Sequence, residues 1–288
     1  MKTINKITWK QKMKAYRRNP FSFLLLVLVL IATGITVFIL TTIIGYILIM
    51  GIPNISPELF AWKYTSDNVS MLPAIINTIG ITLLSLLIAV PLGVFSAIYL
   101  VEYAKRGNKL VSIIRITAET LSGIPSIVYG LFGFLLFVIA FGWGLTFLGG
   151  ALTLSIMILP LIMRTTEEAL LAVPDAYREG SFALGAGRLR TVFQIVLPSA
   201  IPGILAGVIL GIGRIVGETA ALIFSAGTIA GIPNTVMDSG RTLAVHMYAL
   251  LSEGLYMKQA YATAVVLLLM VVGINALSAA IAKMLARG

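Results

Sequence analysis

Long apolar runs separated by short polar stretches make up this chain from residue 21 onward. The first run, residues 21–50, contains no charged side chain. At a rise of 1.5 Å per residue, about 20 apolar residues suffice for a helix to cross the hydrocarbon of a bilayer. The same criterion predicts further spanning helices over residues 68–101, 116–141, 148–163, 201–224 and 259–282. The pattern therefore predicts an all-α membrane protein with six transmembrane helices.

Glycine and proline suggest where these runs turn. Pro91 is expected to kink the second run, and the glycines between residues 142 and 150 are expected to separate the third run from the fourth. Before the last run, residues 242–251 could form a short horizontal helix with His246 on its apolar face. His246 is expected to be a packing residue and not a gate or a pH sensor.

Composition agrees with a membrane protein and excludes several kinds of site. The chain is 59% hydrophobic and 11% charged, and its mean hydropathy is +1.01, which no soluble globular domain approaches. Without cysteine there is no disulfide or thiolate metal site, and His246 as the single histidine excludes a histidine-cluster metal centre. We therefore expect no metal site in this chain.

The net charge of +10 is better explained by membrane lipid than by nucleic acid. Residues 1–20 form a basic tail without an acidic residue, and no second basic patch interleaved with aromatic side chains follows. Most lysines and arginines fall in the tail and in every second polar stretch. Because such residues favour the cytoplasmic side, the sequence predicts that both termini are cytoplasmic and that the protein is a multi-pass protein of the cell membrane.

A polar stretch over residues 164–200 interrupts the apolar runs and is predicted to be cytoplasmic. Pro174 and Asp175 can open a helix that continues to Ala183, and Gly185 can turn the chain into a second short helix from Arg188 that ends at Pro198. Such a surface-lying pair of helices could be gripped by a soluble motor protein. An ordinary amphipathic interfacial loop is the alternative.

Two ionisable residues, Arg214 and Glu218, lie inside the fifth predicted helix. Because they are four positions apart, they are expected to share one helix face. Charged groups at membrane depth usually face a substrate pathway, although an ion pair that only fixes packing remains the alternative. Thr219 follows them, and Arg164 at the inner end of the fourth helix is either a path residue or an arginine that reaches the lipid surface. Glu119 is expected to pair with Arg115, four residues earlier.

The chain carries no sequence that would make it an enzyme. It has no Gly-x-x-x-x-Gly-Lys-Ser/Thr loop for nucleotide phosphates and no Gly-Lys dipeptide at all. No paired carboxylates or Ser/His/Asp set lies in a plausible active site, so no catalytic residue is assigned.

Glu179–Gly185 and the following Ile195-Val196-Leu197-Pro198 resemble the EAA loop of ABC importer permeases, in which Glu and small residues precede a Gly, and nine residues lead to Ile-x-Leu-Pro. Gly180 and Ser181 depart from this pattern, which has two alanines. By this resemblance the residues that couple to a separate ATPase are Glu179, Gly180, Ser181, Gly185, Ile195, Leu197 and Pro198. The resemblance implies a MetI-like, type I permease domain over residues 72–283.

Two further motifs resemble the phosphate importers within that family. They are Ser122–Gly133 and Arg-x-x-Gly-Glu-Thr-Ala from Arg214 on, and Gly-Glu-Thr-Ala-Ala-Leu-Ile-Phe is closer to the PstA type than to the PstC type. The resemblance implies bacterial phosphate uptake with a PstC-type permease subunit, two copies of a nucleotide-binding subunit that holds ATP and magnesium, and an extracytoplasmic phosphate-binding protein. The chain itself would need no cofactor. Arg214, Glu218, Thr219 and Arg164 carry over as substrate-path candidates.

Three alternatives stay open at the level of sequence. The same fold could carry molybdate, sulfate or phosphonate. A secondary transporter or channel would need no ATPase, but it is expected to show inverted repeats or broken helices in both halves, and the sequence indicates neither. A membrane scaffold would leave Arg214 without a role.

Overall fold

The computed structural model describes residues 19–105 and 107–285, and every regular element in these ranges is helical. The predicted basic tail lies outside the described residues except for Asn19 and Pro20. The chain divides into two compact units between Met50 and Gly51. The first unit contributes one helix, α1 (Pro20–Gly51), which matches the predicted first span.

The second unit contains the remaining helices. They are α2 (Leu72–Ile98), α3 (Lys109–Ser122), α4 (Ser126–Gly133), α5 (Phe147–Leu171), α6 (Asp175–Ala183), α7 (Arg188–Thr191), α8 (Leu197–Val216), α9 (Ala220–Ser225), α10 (Leu243–Glu253) and α11 (Met257–Leu285). Wider π-helical turns extend three of them: α2 through Tyr99–Tyr103, α4 through Phe134–Ala140, and α7 into α8 through Val192–Val196. Short 3-10 turns at Ile52–Asn54 and Pro57–Phe60 follow α1.

Side-chain caps fix where several helices begin. The side chains of Asn108, Thr146 and Thr242 accept hydrogen bonds from backbone N–H groups in the first turns of α3, α5 and α10. These caps satisfy donors that the first turn of a helix leaves without partners. The helix predicted over residues 242–251 is therefore confirmed as α10, and it ends at Gly254, whose φ of 71° favours glycine.

Helix α5 forms the centre of the second unit. Leu154, Met157, Ile158 and Ile162 along it are completely buried. They pack with Ile81 and Ala89 of α2, Ile215 of α8 and Leu222 of α9 in the largest hydrophobic cluster. Because both faces of α5 are covered by other helices, the sites at its two ends are held by a rigid element.

Five described helices are long and apolar enough to cross a membrane, or six if α3 and α4 count as one bent span. The prediction of a continuous third helix is wrong, since α3 and α4 meet at an angle of 103°. Gly123-Ile124-Pro125 causes the break, because Pro125 provides no backbone N–H group and restricts the residue before it. The fourth helix is longer than predicted and continues beyond Arg164 to Leu171.

The fifth predicted span also differs from the structure. It starts earlier than predicted, because the chain stays helical from Arg188 through Pro198 to Val216. The short helix that was predicted to end at Pro198 therefore continues into the span. It then breaks at Gly217–Thr219 before α9 begins. Broken helices are therefore present, contrary to the sequence-based expectation.

The second unit has two ends that matter for function. At the EAA end, α2 and α5 finish and α6 and α7 follow. At the far end, α2 and α5 begin, and residues 226–242 close over them through backbone hydrogen bonds such as Phe147 N–H to the Asp238 carbonyl at 2.8 Å.

Candidate functional site

The EAA segment comprises α6, the turn at Gly185 and α7, and this helix–turn–helix projects its turn away from the core. Asp175 lies in the first turn of α6, where its charge complements the helix dipole, and Gly185 closes the turn with a φ of 83°. Inside the turn, the hydroxyl groups of Ser181 and Thr191 lie 2.8 Å apart and are buried. This hydrogen bond joins α6 to α7, so that the two short helices form one body.

The predicted coupling residues divide between the surface and the interior of this body. Glu179, Gly180, Gly185 and Pro198 are exposed, Ile195 and Leu197 are half-buried, and Ser181 is buried. Ser181 therefore faces Thr191 and not a partner. The most exposed apolar side chain is Leu184 at the tip of the turn, with 90% of its surface accessible.

Arg178 ties α6 to the ends of two long helices. Its Nη2 donates to Glu102 Oε1 at 2.7 Å, and Nε donates to the same oxygen at 3.1 Å. Nη2 also donates to the Leu170 carbonyl in the last turn of α5, and Nη1 donates to the Val173 carbonyl and to Asp175. The side chains of Arg178 and Glu102 are only 14% and 9% exposed. This Arg178–Glu102 junction connects α6 to α2 and α5 through charge-assisted hydrogen bonds, which are stronger than hydrogen bonds between neutral groups.

A weaker contact supplements this junction. The guanidinium of Arg188, at the start of α7, lies 5.9 Å from the centre of the Tyr103 ring at the end of α2. The sequence analysis did not single out Arg178 or Glu102, which lie 76 positions apart. The available signal was the position of each charged residue at the border of an apolar run.

The structure separates Arg214 from Glu218, so the prediction that they share a helix face is wrong. Arg214 is half-buried in the last turn of α8, whereas Glu218 lies in the break after it. The Glu218 carboxylate accepts a hydrogen bond at 3.1 Å from the N–H of Ala221 in α9. Within the described part of the chain no ion pair joins Glu218 to Arg214. Glu218 therefore satisfies a backbone donor at the start of α9, with Thr219 next to it at the break.

The two motifs that resemble phosphate permeases pack against each other. Gly130 in α4 approaches α9 so closely that a Cβ atom there would lie 2.8 Å from the Cα of Ala221. Across the break between α3 and α4, the Tyr129 hydroxyl donates to the Leu121 carbonyl at 2.7 Å. Arg214 is near enough for its charge to act on the Tyr129 hydroxyl. Both broken helices and Arg214 thus belong to one region of the second unit.

Arg164 lies in a charged cluster on α3 and α5 instead of beside Arg214. It pairs with Glu168 at 3.1 Å and approaches Glu119 at 3.9 Å. Arg115 pairs with Glu167. The prediction that Arg115 pairs with Glu119 is therefore wrong. These residues line a cavity of ≈ 240 Å³. The cluster connects α3 to α5 near the EAA end and contains more carboxylates than arginines.

Comparison with protein families identifies a match over most of the chain. Residues 89–288 match the family described as "Binding-protein-dependent transport system inner membrane component". This range includes the EAA segment, Glu102, Arg214 and both breaks. The chain is also 38% identical over 232 residues to the probable ABC transporter permease protein YqgI of Bacillus subtilis, covering 75% of this chain and 79% of that protein.

A phosphate permease and a solved importer are similar as well. The phosphate transport system permease protein PstA of Mycobacterium leprae is 36% identical over 197 residues, covering 67% of this chain and 64% of that protein. Among solved structures, a chain of the bacterial alginate ABC transporter, crystallised with an alginate-bound periplasmic protein, has a TM-score of 0.68 at 16% identity. That match covers 95% of this chain and 97% of the other. At such low identity the likeness supports the fold alone, which is that of an ABC importer permease.

Proposed function

The chain belongs to the family of inner membrane components of binding-protein-dependent transport systems, and from this premise we propose that it is a permease subunit of an ATP-driven importer of inorganic phosphate. The observation that carries the proposal is that the family match contains both the exposed EAA helix α6 and the Arg178–Glu102 junction that ties it to α2 and α5. Relatives that are named phosphate permeases support the substrate.

The family membership decides against the other classes of membrane protein. Broken helices are common in secondary transporters, and this chain has them at Gly123–Pro125 and Gly217–Thr219. They do not make the chain a secondary transporter, because the same chain also carries the EAA segment. A scaffold role would leave that exposed segment and Arg214 without a function.

The proposed complex contains three kinds of partner protein besides phosphate and membrane lipid. A PstC-type permease completes the membrane part, two copies of a nucleotide-binding subunit hydrolyse ATP, and a binding protein outside the membrane delivers phosphate. The EAA end then faces the cytoplasm and the far end faces outward, as the distribution of basic residues predicts. ATP and magnesium belong to the nucleotide-binding subunits.

The Arg178–Glu102 junction provides a path for mechanical coupling. When the ATPase subunits close, they would displace the exposed surface of α6, including Glu179, Gly180 and Gly185. Since α6 is joined to the ends of α2 and α5 by buried charge-assisted hydrogen bonds, these helices would move with it. Ser181, through its bond to Thr191, would make α7 follow. The ATPase stroke would thus reach the helices that enclose the substrate path.

The substrate path is proposed to pass Arg214. A phosphate dianion that leaves water needs fixed positive charge or retained water, because a desolvated charge is costly. The guanidinium can contact two phosphate oxygens at once, and no carboxylate of the described chain neutralises it. Glu218 and Thr219 would shape the adjacent break. Arg164 would act nearer the cytoplasmic exit, where its cluster repels an anion unless the ion pairs rearrange.

Uptake of radiolabelled phosphate by cells that lack their own phosphate importers tests the proposal. Wild-type complex should accumulate phosphate in the presence of excess molybdate, sulfate or phosphonate, and Arg214→Gln should abolish accumulation while the complex still assembles. Arg214→Lys should retain part of the uptake rate if the positive charge matters more than the planar geometry of the guanidinium donors. Equal competition by sulfate would reassign the substrate, and wild-type uptake by Arg214→Gln would remove Arg214 from the path.

A further inference from the structure

A second buried arginine, Arg241, lies at the far end of the second unit without a counter-ion. Its side chain is 5% exposed, and two of its guanidinium nitrogens, Nε and Nη2, are buried with no hydrogen-bond acceptor. No acidic side chain of the described residues pairs with it. A buried charge without a partner is strongly unfavourable. The unsatisfied guanidinium therefore indicates a partner that this chain does not supply.

The surroundings of Arg241 hold it in a fixed position. Its backbone N–H donates to the Ile229 carbonyl at 3.0 Å, and its own carbonyl accepts from the buried Asn77 side chain at 3.1 Å. Among the described residues, the one close contact that compensates the charge of the guanidinium is the ring of Tyr64, whose centre lies 4.7 Å from Cζ. His246 packs against the same ring at 6.1 Å, and neither of its nitrogens has a partner.

Tyr64 also lines an open cavity. The cavity has a volume of ≈ 650 Å³ and is lined by Trp62, Lys63 and Tyr64 on one side and by residues 229–232 on the other. Asn77 connects the wall at residues 229–232 to the backbone of Arg241, because its side chain donates both to the Gly231 carbonyl at 2.9 Å and to the Arg241 carbonyl. Arg241 itself does not line the cavity, and Tyr64 is the lining residue whose ring contacts the guanidinium.

The unpaired nitrogens identify the chemical class of the ligand. Nε and Nη2 form one edge of the guanidinium, with two parallel N–H donors that match two oxygens of a carboxylate or phosphate. The same edge of Arg178 binds the Glu102 carboxylate in this protein. On Arg241 this edge is empty. We propose that Arg241 forms an oxyanion-binding site at the far-end cavity, which opens when the Tyr64 side chain swings away from the guanidinium.

The site deepens the proposed function and rests on it, since the far end then faces the side from which phosphate arrives. A free oxyanion is the favoured occupant because the cavity is open and its volume of ≈ 650 Å³ leaves ample room for a small anion. A carboxylate of a binding protein has the same chemistry, so the experiment includes both sources. The site is distinct from Arg214, which lies in the last turn of α8.

The test measures binding directly and does not depend on uptake. The chain has no native cysteine, so Ile229→Cys places an environment-sensitive fluorophore in the cavity, in a complex whose other subunits lack reactive cysteines. The complex in lipid nanodiscs, without nucleotide or binding protein, is titrated with inorganic phosphate against chloride at equal ionic strength. We expect a saturable signal with phosphate that chloride does not reproduce.

The variants separate a binding site from packing. Arg241→Gln should weaken phosphate binding at least about tenfold, and Arg241→Lys should weaken it less. Tyr64→Ala should strengthen it several-fold by uncovering the guanidinium. The matched control Lys63→Gln removes a solvent-exposed positive charge from the same cavity and should change binding less than about threefold, because an exposed charge is screened. Full complex yield shows that each variant folds.

Several outcomes would overturn the proposal. They are an Arg241→Gln titration equal to wild type, a chloride response equal to that of phosphate, and Tyr64→Ala binding equal to or weaker than wild type. A signal that appears only when the binding protein is added, and disappears in Arg241→Gln, would assign the site to a protein carboxylate and refute a free oxyanion. If the wild-type complex binds phosphate in this titration but does not take up phosphate into cells, the proposed function is refuted and the binding site stands.

Discussion

Arg178 at the EAA end is mostly shielded from solvent and Arg241 at the far end is buried, yet the surroundings of their guanidinium groups are opposite. Arg178 binds Glu102, Asp175 and the carbonyls of Leu170 and Val173. Arg241 has Nε and Nη2 without an acceptor and only the Tyr64 ring beside it. The same side chain in similar burial therefore serves two different purposes.

This difference shows how to distinguish an arginine that connects structural elements from an arginine that binds a ligand. A buried cation whose every donor is bound by its own chain connects the elements that provide the acceptors, and it can transmit motion between them. A buried cation with free donors costs free energy until an outside group arrives. On this basis we propose that the EAA end transmits force and that the far end binds an anion. Four measurements would sharpen or contradict this distinction.

The largest effect is expected when one partner of the Arg178–Glu102 junction is removed. Arg178→Met leaves the Glu102 carboxylate buried without its cation and should lower the free energy of unfolding by about 3–5 kcal/mol. The double variant Arg178→Met/Glu102→Leu should recover most of that loss, because two apolar side chains need no counter-charge. Thermal unfolding of the purified complex measures both.

Coupling provides a second readout for the same variants. If the junction transmits force, the double variant should assemble, bind the ATPase subunits and hydrolyse ATP while phosphate uptake falls. Wild-type uptake by the double variant would show that the junction contributes stability only.

The second effect concerns pH at the far end, which His246 reports. Burial, reinforced by the charge of Arg241, lowers the pKa of His246 to about 3. The unfolded chain takes up a proton near pH 6.5 while the folded protein keeps the ring neutral. Stability is therefore lost as the pH falls below 6.5, by about 2 kcal/mol at pH 5.

Unfolding midpoints of the complex at pH 7.5 and pH 5 measure this loss. His246→Gln cannot take up the proton, so its midpoint should fall less between the two pH values than that of wild type. An identical fall in both proteins would show that other groups cause it. Since Arg241 is close enough to act on His246, the same comparison in Arg241→Gln reports whether that charge keeps the ring neutral.

The sequence predicted those structural features that depend only on residues close together in the chain. The first span was predicted at residues 21–50 and the structure has α1 at Pro20–Gly51, because a continuous apolar run needs no tertiary information. The turn at Gly185 and the short helices on either side followed from proline, aspartate and glycine positions. The all-helical fold followed from the same apolar runs, whereas the membership in an importer family followed from the resemblance of residues 179–198 to the EAA loop.

Contacts between distant residues and breaks inside apolar runs were not predictable in this way. Hydropathy does not distinguish a straight span from the bent pair α3 and α4, although Gly123-Ile124-Pro125 was a visible signal. Arg214 and Glu218 were paired on the assumption of a continuous helix, which Gly217 ends. The partners of Arg178, Arg115 and Arg241 are set by packing between elements, so sequence spacing gave the wrong pair for Arg115 and none for the other two.

The third measurement tests whether the helix–turn–helix at the EAA end moves as one body. Gly185 has a φ of 83°, so Gly185→Ala should cost about 1–2 kcal/mol and distort the turn, reducing ATPase co-purification and phosphate uptake. Gly180→Ala is the matched control, since it lies inside α6 with nothing within 4 Å of its new Cβ and should stabilise the helix by about 0.5–1 kcal/mol. Equal uptake by both variants would contradict a coupling role for the turn.

The smallest effect is the most informative about the far end. Arg241→Met removes a buried charge that has no counter-ion, so the free energy lost with the Tyr64 contact is offset by the desolvation that is no longer needed. In phosphate-free buffer the unfolding free energy of the complex should therefore stay within about 1 kcal/mol of wild type, in contrast to Arg178→Met. Adding phosphate at about 100 times its dissociation constant should stabilise wild type by about 2.7 kcal/mol, and Arg241→Met should gain less because this site is lost. A loss of about 3 kcal/mol or more in phosphate-free buffer would show that Arg241 is already paired in the assembled complex, and the far end would then be a joint like the EAA end.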